Sequence, residues 1–340
     1  MSSTATLDLS QPFPKAANYN ANTASCVLDG QFAHKIRGYA LLHGGRLIAQ
    51  DYKEGYSSSS RFVQWSVTKS WTSALIGCLV DEGALSLSQT LEDIFNVSMG
   101  AAEWAQVENR EDKRLIKLKE LLTMESGLVD PSDGRTQGSL VEVLNHGVYR
   151  PGYVPQFSYL SSTHILAYII RAAAGESPQA YAQSDRCPIW SSLGLSETAD
   201  VSWDVNNEGV ATSAFGLRLT VPAMLKLGAL YLQGGLSAPS TQLLSRSWVS
   251  ASTRSQTQYS PWGTAGVCDT LNGYGYQWWV QQAAAGSDYY CAIGYMGQFV
   301  CVYPSLDAVL AVVAQDYSYA DPCMLVRKVS ELSLDNPKLP

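Results

Sequence analysis

The chain has 340 residues, enough for two domains of ordinary size or one large one. Its residues are 46% hydrophobic and 10% aromatic, which suffices for a packed core and excludes a largely disordered protein. Lys and Arg number 23 against 30 Asp and Glu, a net charge of −7 with no basic stripe, and that balance argues against nucleic acid or an anionic membrane as a partner.

Met1 to Pro14 lacks an apolar core segment and does not read as a signal peptide. The composition suits either a cytoplasmic or a secreted protein, so the compartment stays open, as does the oligomeric state. No apolar run approaches the ~20 residues of a membrane span. Residues 1–33 are polar and irregular, the pattern of an arm wrapped on the surface. A hairpin follows: Tyr39 to Leu42 is a strand, His43-Gly44-Gly45 the turn, and Arg46 to Gln50 the return. From Ser66 to Glu82, Trp71, Ala74, Leu75, Cys78 and Leu79 recur at helical spacing, with Gly83 as the stop. Further helices are expected over Leu115 to Met124, over Ser162 to Ala174 closed by Gly175, and over Pro222 to Gln233. Short aromatic or β-branched strands are expected over Tyr276 to Gln281, Tyr289 to Ala292, Gln298 to Tyr303 and Ala308 to Gln315. Pro322 to Leu332 closes the chain as a helix.

Strands thus lie at both ends and helices in the middle. The expected architecture is α/β of the α+β type: an antiparallel sheet flanked by helices, formed from both chain ends, with an inserted, mainly helical domain. The corresponding units are residues 1–84 with 226–340, and residues 85–225. Seven cysteines without a C-x-x-C are expected to be mostly buried free thiols.

Several chemistries lack their residues. There is no G-x-S-x-G, no H-E-x-x-H, no P-loop and no zinc spacing. His34, His43, His146 and His164 are scattered and read as surface or core residues rather than bases. What remains is Ser66-Val67-Thr68-Lys69. Residues i and i+3 of a helix share a face, about 5–6 Å apart, so the hydroxyl points at the amine. Serine needs a base to act as a nucleophile, and a lysine whose pKa is lowered by desolvation can supply it. A helix start adds free N–H groups for an oxyanion. Such a Ser–Lys spacing also arises by chance about once in a serine-rich chain of this length, so other elements have to support it. One is Tyr159, in a loop just before a helix, where a phenol can shuttle protons. Another is Ala292 to Gln298, where Gly294 permits close approach of a ligand on a strand edge, and an edge N–H facing Ser66 would complete an oxyanion hole.

In this order and spacing, the three elements resemble the serine β-lactamase and penicillin-binding-protein superfamily. The nearer likeness is to its class C-like branch of esterases, D-aminopeptidases and 6-aminohexanoate-oligomer hydrolases. Leu121-Leu122-Thr123-Met124-Glu125-Ser126-Gly127-Leu128 is similar to that family's LLTHTSGL block, and Gly275-Tyr276-Gln277-Trp278-Trp279 to its closing strands. The likeness runs over about residues 37–320. It implies Ser66 as the acylated nucleophile, Lys69 as its activator and Tyr159 as the proton relay to the leaving group. It also implies an oxyanion hole from the N–H groups of Ser66 and Tyr295, with no metal or organic cofactor. Ser161 stands where the family carries an amide side chain, and Ala292-Ile293-Gly294 where it carries the lysine of K-[ST]-G. Losing that charge favours a small-molecule ester or amide with a neutral acyl group. Trp65, Tyr149, Tyr153, Trp279, Tyr295, Ser161 and Gly294 are the candidate substrate contacts. The alternatives are a β-lactamase or D-amino-acid peptidase with the same centre, or a catalytically silent member that only binds a ligand.

Overall fold

The computed structural model describes residues 5–17, 19, 35–96, 99–129, 138–146, 148–149, 159, 161–257, 268, 271–281 and 289–330. Tyr153, Cys26, His34 and most of the loop preceding Tyr159 lie outside them.

Strands β1 (Ile36–His43) and β2 (Arg46–Tyr52) form the expected hairpin. His43 ends β1, pairing with Arg46, so the turn itself is Gly44-Gly45, both at positive φ. The short strand β3 (Phe62–Val63) leads through a 3₁₀ turn (Trp65–Val67) into helix α1 (Thr68–Asp81). Helix α2 (Leu118–Leu122) is shorter than expected: Leu115 closes the preceding turn, its N–H donating to Asp112 O, and Lys117 bridges to Thr90 before the helix starts. The middle of the chain is less purely helical than its pattern suggests. It holds the pair β4 (Leu128–Val129) with β5 (Val148–Tyr149), and strands β6 (Val201–Trp203) and β7 (Leu217–Leu219), which join β3 in a sheet ordered β3-β7-β6. Helix α3 (Ser161–Ala174) ends at Gly175, and helix α4 (Val221–Leu232) opens with Thr220 accepting from the Ala223 N–H and Pro222 in its first turn. The expected unit boundary at 225/226 falls inside α4. After a small hairpin, β8 (Leu236–Ala238) with β9 (Thr241–Gln242), come β10 (Gly273–Tyr274), β11 (Trp279–Val280), β12 (Tyr290–Gly294), β13 (Gln298–Tyr303), β14 (Ala308–Ala314) and helix α5 (Ala320–Ser330). Tyr276 to Trp278, expected in a strand, instead form the turn between β10 and β11, where Gln277 takes φ +65°.

The main sheet is antiparallel and ordered β10-β11-β12-β13-β14-β1-β2. Its two N-terminal strands add to β14, with Leu41 opposite Leu310, so both chain ends share one sheet. Along each central strand alternate residues go to opposite faces. Ala40, Leu42, Val300, Val302, Val309 and Ala311 belong to the larger core, into which α4 packs. Tyr39, Leu41, Phe299, Tyr303, Leu310 and Val312 belong to a second core with α5. Burial on both faces explains why β14 reads as an unbroken apolar run. Gly228 lets α4 lie close to the sheet, since a Cβ there would run into Val309.

The N-terminal arm is more than a surface wrapping. Leu9 is buried in the larger core and its N–H donates to Ser237 O at 2.7 Å. The free-thiol expectation is also corrected. Six cysteines are paired as disulfides, Cys78–Cys187, Cys268–Cys323 and Cys291–Cys301. The last pair faces itself across β12 and β13, while the other two join segments that sequence spacing alone could not match. Among the described residues no helix is long and apolar enough to cross a membrane.

Cys78–Cys187 spans 109 residues and Cys291–Cys301 only 10. Restricting the unfolded chain predicts that the Cys78→Ala/Cys187→Ala double variant loses roughly 2–4 kcal/mol in urea unfolding, and the Cys291→Ala/Cys301→Ala variant less.

Candidate active site

The first element of the site is a local consequence of the turn into α1. Gln64 N donates to Leu217 O at 2.8 Å, which ends the β3 segment against β7. Trp65 then takes φ +49°, a left-handed conformation that is costly for a bulky side chain, by roughly 1–3 kcal/mol. The sharp bend puts Ser66 in the middle of the 3₁₀ turn and Lys69 in the first turn of α1. Three residues apart, the two side chains meet: Lys69 Nζ donates to Ser66 Oγ at 3.0 Å.

Lys69 is only 1% exposed. Its Nζ also donates to Ala214 O at 2.8 Å and lies 4.1 Å from the ring centroid of Tyr159. That ring is half-buried, 6.1 Å from the ring of Trp279. Three distant segments therefore converge on one amine. The carbonyl of Ala214 is held in place by its neighbour: Ser213 Oγ donates to Thr163 O at 2.6 Å, and Thr72 Oγ1 donates to Ser213 O at 3.0 Å. These bonds stitch residues 213–214 between α1 and α3.

The third element is the end of β12. β11 pairs with Tyr290 and Cys291, so β12 is an inner strand at its start and, among the described residues, carries no ladder partner on that side from Ala292 to Gly294. That unpaired half lies against the 3₁₀ turn. Gly294 is required there because a Cβ would run into the carbonyl oxygen of Gln64. Tyr295 follows, its ring meeting Trp65 edge-to-face at 5.6 Å. Trp65, Ser66, Lys69, Tyr159, Trp279, Gly294 and Tyr295 are thus brought together. The side chains of Tyr149 and Ser161, and all of Tyr153, lie outside the described residues. Among the described residues no three His, Cys, Asp or Glu side chains gather as a metal site.

The family model for β-lactamase matches residues 24–327, about nine-tenths of the sequence. The chain belongs to the β-lactamase family. Among its relatives, a 6-aminohexanoate-dimer hydrolase from Paenarthrobacter ureafaciens is 22% identical over 300 residues, covering 84% of this chain and 73% of that one. A class C β-lactamase from Rhodobacter sphaeroides has the same fold, with a TM-score of 0.65 at 18% identity over 91% of this chain and 98% of its own. A penicillin-binding protein homologue from Caulobacter crescentus superposes with a TM-score of 0.65 at 15% identity over 93% and 98%. Membership makes this protein a hydrolase of the serine β-lactamase type and accounts for the sheet of joined chain ends.

Sequence reasoning missed the residue that braces the β-lactamase-type centre. Gln277 is 2% exposed. Its Nε2 donates to Leu121 O at 3.3 Å and Leu122 O at 2.9 Å, which fixes the amide orientation, and its Oε1 accepts from Thr163 Oγ1 at 3.1 Å. Its backbone carbonyl accepts from Ser70 Oγ at 2.7 Å. One residue thereby ties α2, α3 and the residue next to Lys69. The only signal in the sequence was a polar side chain within an aromatic block.

His164 is a core residue rather than a base, as the sequence reading has it. It is buried one turn into α3 against the edge of Phe215, and its Nε2 has no hydrogen-bond partner among the described residues. Burial, the largest cause, pushes its pKa down to about 3. It therefore stays neutral at working pH and is no candidate base.

Two predictions follow from these residues. Gln277→Leu removes the side-chain bonds to the Leu121 and Leu122 carbonyls and from the Thr163 hydroxyl, each of which keeps a second partner, so the expected loss is about 1 kcal/mol for each bond removed, read by urea unfolding. His164 has a folded pKa below its unfolded value of about 6.5, so its contribution is complete above that value. It is lost as pH falls from about 6.5 towards 3, by up to about 1.4 kcal/mol per pH unit. His164→Leu is expected to flatten that slope in pH-dependent denaturation.

Proposed function

We propose that this protein hydrolyses ester or amide bonds of small molecules through an acyl-enzyme on Ser66. The observation that carries the reading is the 3.0 Å contact from the buried Lys69 amine to the Ser66 hydroxyl. In the first step Lys69, as the free amine, takes the Ser66 proton while Oγ attacks the substrate carbonyl carbon. The oxyanion is held by the N–H groups of Ser66 and Tyr295. Collapse breaks the bond to the leaving alcohol or amine, which receives its proton from Lys69 through Tyr159. Water then attacks the Ser66 ester, with the same groups moving its proton, and the free acid leaves.

Burial favours the uncharged amine that this mechanism needs, because desolvation opposes the ammonium. The ring of Tyr159 against Lys69 Nζ supports a relay at that position. The aminohexanoate-dimer hydrolase among the relatives makes linear amides candidate substrates beside esters. Ala292-Ile293-Gly294, in place of a lysine, supports a neutral acyl group over the carboxylate-bearing substrates of a β-lactamase or D-amino-acid peptidase.

A fluorophosphonate probe is expected to label Ser66 with the matching mass shift. Ser66→Ala and Lys69→Ala should fold normally by circular dichroism yet lose at least about 10³-fold in p-nitrophenyl ester turnover, and Tyr159→Phe about 10²- to 10⁴-fold. Wild-type turnover in Ser66→Ala would overturn the mechanism. Failure to acylate across ester, amide and β-lactam panels would favour a silent, ligand-binding member.

A further inference from the structure

A chain of aromatic rings continues from the nucleophile's neighbour out to solvent. Trp65 meets Tyr295 edge-to-face at 5.6 Å, and Tyr295 meets Tyr317 at 5.6 Å with the planes at 73°. Tyr295 is 45% and Tyr317 62% exposed. Large rings left in water beside a reactive hydroxyl have apolar area still to bury.

Tyr317 is presented by a rigid turn. Its neighbour Asp316 is 1% exposed, and the carboxylate accepts from Lys35 Nζ at 2.9 Å, Ser318 Oγ at 2.6 Å, Ser318 N at 3.0 Å and Asp321 N at 3.1 Å. The Asp316 N–H donates to Met296 O at 2.9 Å, which binds this turn to the one carrying Tyr295. Burial works against the Asp316 charge, but these donors outweigh it and hold the group well below the usual carboxylate range, at about 2. The turn that carries Tyr317 is therefore fixed, and the Asp316 charge is matched by Lys35.

We propose that Trp65, Tyr295 and Tyr317 form an acyl-group subsite for an uncharged aromatic substituent. This rests on the reading of Ser66 as the nucleophile. The leaving group has to stand within reach of Lys69 and Tyr159, the proton donors, so the acyl remainder is the part of the substrate that extends over Trp65. The rings pack on one another in a row rather than boxing in a space, which suits another ring laid edge-to-face and not an enclosed cation. A carboxylate would find Lys35 already held by Asp316 and Lys69 by Ser66 and Ala214.

The test compares acyl groups on a common leaving group: the p-nitrophenyl esters of acetic, phenylacetic and 6-aminohexanoic acid, with wild type, Tyr317→Ala and Tyr317→Phe. The readout is each variant's kcat/KM for phenylacetyl divided by that for acetyl, so intrinsic ester reactivity cancels between variants. Tyr317→Ala is expected to lower this ratio about 3- to 10-fold, mainly through KM, and Tyr317→Phe to keep it. An unchanged ratio, or a fall in the 6-aminohexanoyl ratio instead, overturns the subsite while acetyl turnover leaves the Ser66 mechanism standing. Absence of Ser66-dependent turnover of the acetyl ester overturns both.

Discussion

The site depends on keeping a lysine amine out of water and next to a hydroxyl. An ammonium is costly to bury, and an amine is of no use as a base if solvent keeps it protonated. In the proposed mechanism both demands fall on Lys69. Lys69, on the first turn of α1, is buried, its Nζ is aimed at the Ala214 carbonyl and the Ser66 hydroxyl, and an aromatic face covers it. Ser213, Thr163, Thr72 and Gln277 touch none of the reacting atoms, yet each fixes a segment that does. Losing any of them loosens the geometry before it changes the chemistry.

The same constraint explains where the backbone is unusual. Trp65 carries a left-handed φ that only a well-packed surrounding can hold, and its indole lies against Tyr295. On the other side, Gly294 gives up its side chain so that β12 can approach the Gln64 carbonyl. Strain on one flank and a missing Cβ on the other bring a turn and a strand end, more than two hundred residues apart in sequence, to one point. The main sheet makes that approach rigid, because β12 is anchored through β13 and β14 to the hairpin that precedes Ser66.

The disulfides are arranged around the same frame. Cys78 lies on α1, the helix that carries Lys69, and ties it to the segment at Cys187, while Cys291–Cys301 crosses β12 and β13, the strand that ends at Gly294 and its neighbour. The helix and the strand that must stay in register are each covalently braced.

Much of this was legible from the residues alone, and the reason is locality. Ser66 and Lys69 are three positions apart, so helical geometry joins them whatever the rest of the chain does. The Gly44-Gly45 turn, the Gly175 stop and the apolar run of β14 likewise carry their conformations in neighbouring residues. Tyr159 and Gly294 were ambiguous by themselves and gained meaning only through resemblance to a family. The tertiary structure alone decided which carbonyl receives Lys69, that Gln277 leaves its expected strand to brace three helices, that His164 is buried neutral, that Tyr317 joins the aromatic rim, and which cysteines pair. Each of these is a contact between segments far apart in sequence, often through a backbone atom that every residue type possesses. Side-chain identity encodes local conformation and apolar burial, but a carbonyl or a distant thiol acquires its partner only once the whole chain has packed.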